Sequence, residues 1–294
     1  MPALCFFKWS PGGNTTLLFP ADNVSPQEQT RLAVAALDAT MLGGEQAGFF
    51  NALQKTLRMA GGEFCVNASR AAGAMLAYCA ATDAAKTGES VQGGAVQQAG
   101  KLLVYEDTIQ VSGWETPIHL RARGVAPQWR VEAELQIPAC PIASLDKGVQ
   151  LVRLPGICHL LLDARVHSQP EDCFAAASTL RHRYGLEDEA ASGVIWWQER
   201  QGRLTMLPLV HVRDAGTNCL ENACGSGALA LGMTLAAAGA QTAFSIMQPG
   251  GTALDVRFYC DGHVRMAGID GPVVLLAQGT VWLPDTQEPS GALA

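Results

Sequence analysis

Two cysteines, Cys65 and Cys224, stand in matching local settings. MAGGEFCVNASRAAGAML runs from Met59 to Leu76, and CLENACGSGALALGMTL runs from Cys219 to Leu235. In each, a cysteine precedes small residues that give way to an apolar, proline-free run of helical character. A helix start leaves backbone N–H groups without intrahelical partners and is the positive end of the helix dipole. A thiol there is expected to have a lowered pKa, with thiolate accessible near neutral pH. The same N–H groups bind a carboxylate. Two such starts facing each other would offer two bases and a clamp for one anion. That set suits inversion at a carbon bearing an acidic hydrogen. One thiolate removes the proton from one face, the opposing thiol delivers a proton to the other, and the roles swap with direction. Fixed N–H dipoles on the substrate carboxylate stabilise charge developing beside the α-carbon. Closure of two halves around the site would exclude water and strengthen those contacts.

Other uses of these residues remain open. Both cysteines could be small buried residues that pack helices on sheets, although two matched settings weigh against that. GSGALALG (225–232) has a Gly-rich look but lacks both the G-x-G-x-x-G spacing and the P-loop lysine. A cysteine hydrolase would need a partner histidine, and nothing selects one of the six present. The nine cysteines are odd in number and scattered, which disfavours a disulfide framework. With no Cys-x-x-Cys and no ligand-like histidine pair, no metal is expected.

The elements around the motifs repeat one grammar: strands, helix, strands, cysteine-led helix, strands. In the first half, LCFFKWS and TTLLF pair across the turn PGGN (11–14), and a helix is expected over 25–41 with Ser25 as N-cap. Strands at 47–53 and 56–60 lead to Cys65, an Ala-rich helix over 67–81, and a meander of strands at 99–107, 108–114 and 118–124. In the second half, strands at 129–138 and 149–164 precede a helix from near Pro170 to Gly185. Strands at 192–200 and 203–212 then lead to the Cys224 helix, which reaches about Ala238. Strands across 243–259, at 263–269 and at 273–283 finish the chain, and the tail from Pro284 is expected to be loose. A boundary is expected near RGVAPQW (123–129), which puts the site in the cleft between halves.

The 294 residues are 48% apolar, enough for a sizeable core. With 16% charged residues, a net charge of −7 and no basic run, the chain lacks a nucleic-acid surface. The start is not signal-like and no apolar run reaches spanning length, so no membrane partner and a cytoplasmic location are expected.

The motifs resemble the diaminopimelate epimerase superfamily of cofactor-independent amino-acid racemases and epimerases. There, a Cys-Gly-Asn motif in the first half and a Cys-Gly-[Ser/Thr]-Gly motif in the second carry the two bases. Here they correspond to Cys65-Val66-Asn67-Ala68 and Cys224-Gly225-Ser226-Gly227. SPGGNTTLLF (10–19), GGEQAGFF (43–50), GEFC (62–65) and QPGGTALDV (248–256) are similar to the histidine racemase branch that serves staphylopine-type opine metallophore biosynthesis.

The resemblance implies an α+β fold of two pseudo-symmetric lobes, each a mostly antiparallel sheet wrapped around a central helix. The lobes would be 1–123 and 124–271, with strand 272–286 returning to the first. It implies Cys65 and Cys224 as catalytic bases, no pyridoxal phosphate or other cofactor, and a homodimer. Asn14 would lie along the substrate cleft. Glu45 and Gln46 would contact the substrate, its side chain in particular, since imidazole suits a carboxylate or amide partner. Glu221 would take the substrate ammonium, while Val66, Asn67, Gly225 and Ser226 line the helix starts. Glu63, two residues before Cys65, reads as structural at least as readily as functional. Val66 replaces the family's usual glycine; a positive φ there would be costly, and its side chain would narrow the pocket.

The expected activity is racemisation of histidine. A racemase or epimerase of another amino acid, such as diaminopimelate, is one alternative, although no arginine can be assigned to a second head group. A phenazine-pathway-like isomerase or hydroxyproline dehydratase-like enzyme is another; those typically lack one of the two cysteines. A non-catalytic amino-acid-binding protein is the third, and would not exchange the α-hydrogen.

Overall fold

The computed structural model describes residues 3–21, 24–87, 95–99, 102–139 and 142–283. The expected loose tail and Cys140 lie outside them. The first half runs β1 (Ala3–Pro11), β2 (Thr16–Pro20), α1 (Pro26–Leu37), β3 (Gln46–Asn51), β4 (Thr56–Met59) and α2 (Val66–Thr87). It continues through β5 (Ala95–Ala99), β6 (Leu102–Val111), β7 (Ile118–Val125) and β8 (Gln128–Gln136). The second half runs β9 (Ile142–Asp146), β10 (Val149–Leu154), β11 (Ile157–Asp163), α3 (Cys173–Arg183), β12 (Ala191–Arg200) and β13 (Arg203–Val212). It ends with β14 (Thr217–Leu220), α4 (Gly225–Ala238), β15 (Ala243–Met247), β16 (Ala253–Asp261) and β17 (Val264–Trp282). The fold is α+β and dominated by mostly antiparallel sheet, as the sequence led us to expect.

Helix composition decides helix position. α1 buries Leu32, Ala33 and Ala36 on β3 and turns Arg31 and Glu28 outward. α3, capped by Asp172 accepting from the Ala175 N–H at 2.9 Å, lies on β12 and β13. α4 offers no polar face, and an apolar helix of that kind must be enclosed, while α2 is so fully wrapped over its first turns that Asn67, Ser69 and Arg70 are buried with it. Residues 225–234 of α4 are all buried.

The two enclosures differ. Around α2 the strands close a circuit: β17 to β1, β2, β3, β4, β6, β7, β8 and back to β17. Around α4 the strands form an open sheet ordered β10, β11, β12, β13, β15, β16, β17. β17 serves both. Its first part pairs with β16 up to Asp270, and its second pairs with β1 from Val273. A single apolar core runs through both enclosures and includes both cysteines. Among the described residues, no helix is long and apolar enough to cross a membrane.

Several expected boundaries move. The helix expected to reach Met41 ends at Leu37, because the Asp38 carboxylate captures the Thr40 N–H (2.7 Å) and hydroxyl (2.6 Å) in a local turn. The helix expected from near Pro170 begins at Cys173, after its cap. The strands expected at 99–107 and 108–114 merge: 102–111 is the single strand β6. Those expected at 263–269 and 273–283 are the single strand β17. Pro272 does not interrupt β17 because it falls between its β16-paired and β1-paired parts, and its carbonyl accepts from the Gly12 N–H at 2.9 Å on that edge. β5, β9 and β14 were not expected.

Candidate active site

Both cysteines stand at helix starts. Cys65 precedes α2, and its carbonyl accepts the Ser69 N–H at 3.1 Å. Cys224 is the N-cap of α4, with extended backbone (φ −129°, ψ 103°) and its carbonyl bonded to the Ala228 N–H at 2.9 Å. The two starts abut. Asn67 Nδ2 donates to the Ala223 carbonyl at 2.7 Å. Gly225 permits the contact, since a Cβ there would lie 2.7 Å from the Val66 Cβ. Val66 itself is helical and not among the positive-φ residues, so the expected backbone strain does not arise.

One cleft brings together Cys65, Val66, Asn67, Cys224, Gly225, Ser226, Glu45, Gln46 and Glu221, with Glu63 and apolar walls. It encloses about 580 Å³, open solvent at its mouth included. Asn14 is fully buried and stands behind this lining rather than on it. Its Nδ2 donates to Glu45 Oε2 at 3.0 Å, and its Oδ1 accepts from Gln46 Nε2 at 2.8 Å.

Glu45 clasps the two halves. Beyond Asn14 it accepts the Thr15 N–H at 3.3 Å and, from just before Cys224, the Asn222 N–H at 3.2 Å and Asn222 Nδ2 at 2.9 Å. Gln46 spends its amide nitrogen on Asn14 and Thr16, and its Oε1 accepts from the Cys65 thiol at 3.0 Å.

Cys224 has different partners. Its N–H donates to Gln248 Oε1 at 3.0 Å, its Sγ is 3.7 Å from Ser226 Oγ, and the nearby Glu221 carboxyl helps hold the proton on its thiol. Ser226 Oγ lies 3.0 Å from Nε2 of His159, a fully buried residue of β11. Burial takes His159 down to about 3, so the ring is neutral. Its Nδ1 has no partner among the described residues, which leaves Nε2 to carry the proton toward Ser226. Sequence reasoning missed His159 and Gln248. The available signal for His159 was a basic ring inside the apolar strand ICHLLLD.

The thiols correct one expectation. Neither is acidified in this cleft. Burial pushes Cys65 up, reinforced by Glu221 and Glu63, and outweighs the Ala68 N–H at 3.3 Å. Burial also raises Cys224 far above an ordinary thiol, with Glu221 adding to it. Burial lifts Glu221 in turn to about 8, with Glu45 and Glu63 contributing. Helix-start N–H groups are present at both cysteines, but desolvation and neighbouring carboxylates dominate.

Comparison with known proteins follows this geometry. Residues 3–282 match the family model described as the histidine racemase CntK N-terminal domain. A histidine racemase of Fusobacterium nucleatum subsp. nucleatum is 27% identical over 281 residues, covering 95% of this chain and 97% of the relative. A hydroxyproline epimerase from Agrobacterium vitis superposes with a TM-score of 0.63 at 11% identity, covering 95% of this chain and 92% of its own. A probable proline racemase from Agrobacterium radiobacter K84 also gives 0.63, at 10% identity and 96% and 94% coverage. At those identities the superpositions speak for the fold. The family match spans nearly the whole described chain, with both cysteine motifs inside it, so this chain belongs to the histidine racemase family and is an amino-acid racemase.

Proposed function

We propose that this racemase interconverts L- and D-histidine without a cofactor, by two-base chemistry at the α-carbon. The observation that carries the proposal is the opening of two abutting helix starts, each led by a cysteine, onto one cleft that also holds Glu221. The substrate carboxylate sits on the N–H groups at the starts of α2 and α4, which have no intrahelical partners. The substrate ammonium meets Glu221. Because both thiols are raised by burial and by nearby carboxylates, the arriving positive charge is what makes a thiolate accessible. One thiolate takes the α-hydrogen as a proton. The electron pair left behind delocalises into the clamped carboxylate, and the opposite thiol returns a proton to the other face. The reverse direction exchanges the roles.

Histidine as substrate is supported by the name of the Fusobacterium relatives and by the family description. A pathway that condenses D-histidine into an opine-type metallophore would consume the product. In this proposal Glu45 and Gln46 position the cleft: Glu45 ties the halves together and Gln46 holds Cys65. The lobes act as jaws around α2 and α4. Of the division into 1–123 with 272–286 against 124–271, we assign β8 to the α2 side, where it packs. A homodimer belongs to the same proposal, and light scattering tests it.

Proton NMR of the protein with L-histidine in deuterated water, without added cofactor, tests the activity. Loss of the histidine α-proton signal with appearance of D-histidine on a chiral column is the expected result. Exchange of a different amino acid would move the substrate. No exchange from a folded, reduced protein would overturn the mechanism.

A further inference from the structure

The reaction needs one carboxylate in the cleft, for the substrate ammonium, and Glu221 supplies it. Glu45 has its two oxygens bound by four donors. A third carboxylate, Glu63, also lines the cleft although only 8% exposed. It is held in place from two sides. The Gly61 N–H donates to its Oε2 at 3.0 Å, and its backbone carbonyl accepts from Ser112 Oγ at 2.9 Å. Gly61 makes room for it: a Cβ there would lie 2.9 Å from Glu63 Oε2 and 2.4 Å from Val212 Cγ1. Among the described residues, no lysine, arginine or histidine side chain forms an ion pair with Glu63. Burial holds its carboxyl above the ordinary carboxylate range.

A buried carboxylate with spare acceptor capacity, facing a cavity, is costly unless the cavity's occupant brings a donor. The neighbouring walls at Leu37, Ala47, Ala60 and Val212 are apolar and suit the faces of a flat ring. We propose that Glu63 accepts the imidazole N–H of the bound substrate and so selects histidine over amino acids whose side chains lack that donor. The inference rests on the histidine reading above and adds the residue that makes the choice. Glu63 is then a specificity residue and takes no part in proton transfer at the α-carbon.

The test compares wild type with Glu63→Met and Glu63→Gln. The readouts are α-proton exchange of L-histidine and competitive inhibition by L-3-(2-thienyl)alanine, a ring of similar size without an N–H. For Glu63→Met, KM for histidine should rise about tenfold or more while kcat stays within about threefold, because the lost contact is made before and during the reaction alike. Binding of thienylalanine should hold or tighten. Glu63→Gln keeps an acceptor without charge and should fall between, and it carries the test if Glu63→Met does not fold. Unchanged KM in the folded variants, a fall confined to kcat, or equal weakening of histidine and thienylalanine would each overturn the assignment. A wild-type protein that exchanges another amino acid but not histidine removes the substrate reading and this inference together. Wild-type activity on histidine with indifferent Glu63 variants removes only this inference.

Discussion

Cys65 and Cys224 occupy equivalent backbone positions in unlike surroundings. Cys65 sits inside the closed circuit around α2, and its direct side-chain partner is a neutral amide, Gln46, itself fixed by Asn14 and Thr16. Cys224 sits at the open sheet around α4, beside Ser226, His159 and the ionisable Glu221. The repeated helix start therefore accounts for where the two proposed bases stand, while the unlike neighbours decide how each thiol holds its proton. The Cys65 partner can only accept from a thiol. The Ser226 hydroxyl next to Cys224 can donate to a thiolate, backed by a neutral His159.

The comparison breaks first at the cysteines. If the proposed two-base scheme holds, Cys65→Ala and Cys224→Ala should each reduce histidine racemisation by about 10³-fold or more, since each removes one of its two proton carriers. Chiral chromatography of product checks this. A variant that retains near wild-type racemisation would mean a single-base enzyme, with the other cysteine only packing.

The next largest effect separates the two sides by pH. Glu221 keeps its proton in the folded state up to about 8, whereas in the unfolded chain it ionises near the ordinary glutamate value. Between those values the native protein holds a proton that the unfolded chain has lost. Glu221 therefore contributes stability that falls by about 2–4 kcal/mol as pH rises from 5 toward 8, while the buried, neutral His159 acts in the opposite sense below about 6.5, so the net fall is expected between about pH 6.5 and 8. Glu221→Gln should flatten that slope in urea denaturation at pH 5, 6.5 and 8. Equal slopes for wild type and Glu221→Gln between pH 6.5 and 8 would contradict the burial of Glu221.

A smaller effect tests the contact that joins the two sites. Gly225→Ala puts a methyl 2.7 Å from the Val66 Cβ, and the resulting overpacking should cost about 1–3 kcal/mol in chemical denaturation. Adding Val66→Gly should recover part of the loss, because the second change removes the atoms the first one strikes. Equal losses in the single and double variants would mean that the helix starts do not bear on each other.

What could be read in the chain was local. The two cysteine motifs, the helical runs behind them and the strand runs all follow from residues close together, whereas the wrapping of sheet around α2 and α4 was implied only by the family resemblance. What could not be read depends on partners brought from afar. Pro272 looks like a strand end until β16 and β1 divide one edge of β17 around it. His159 looks like a core residue until Ser226, from the opposite end of the half, arrives 3.0 Å away. The thiols looked acidic because a helix start is visible in the sequence, while the enclosing sheets and Glu221 are products of folding. Asn14 was expected along the substrate cleft, yet its place behind Glu45 and Gln46 depends on the β1–β2 turn docking against the second half through Thr252, whose hydroxyl donates to the Gly12 carbonyl at 2.6 Å.

The finest test concerns the side-chain partners themselves. Gln46→Ala removes an acceptor from the Cys65 thiol, and Ser226→Ala removes a donor from the Cys224 sulfur. A bond to the neutral thiol holds the proton on, and a bond to the thiolate helps it leave. Each variant should lose about tenfold or less in kcat/KM, but the acid limb of the pH–rate profile should move in opposite directions. Without Ser226 it should shift to higher pH, because Cys224 keeps only the Gly227 N–H as a neutral donor while Glu221 still raises it. Without Gln46 it should shift to lower pH or stay, because the Cys65 thiol is released. Shifts of the same sign would mean that the two cysteines titrate as one coupled pair and that their unlike surroundings do not divide the work between them.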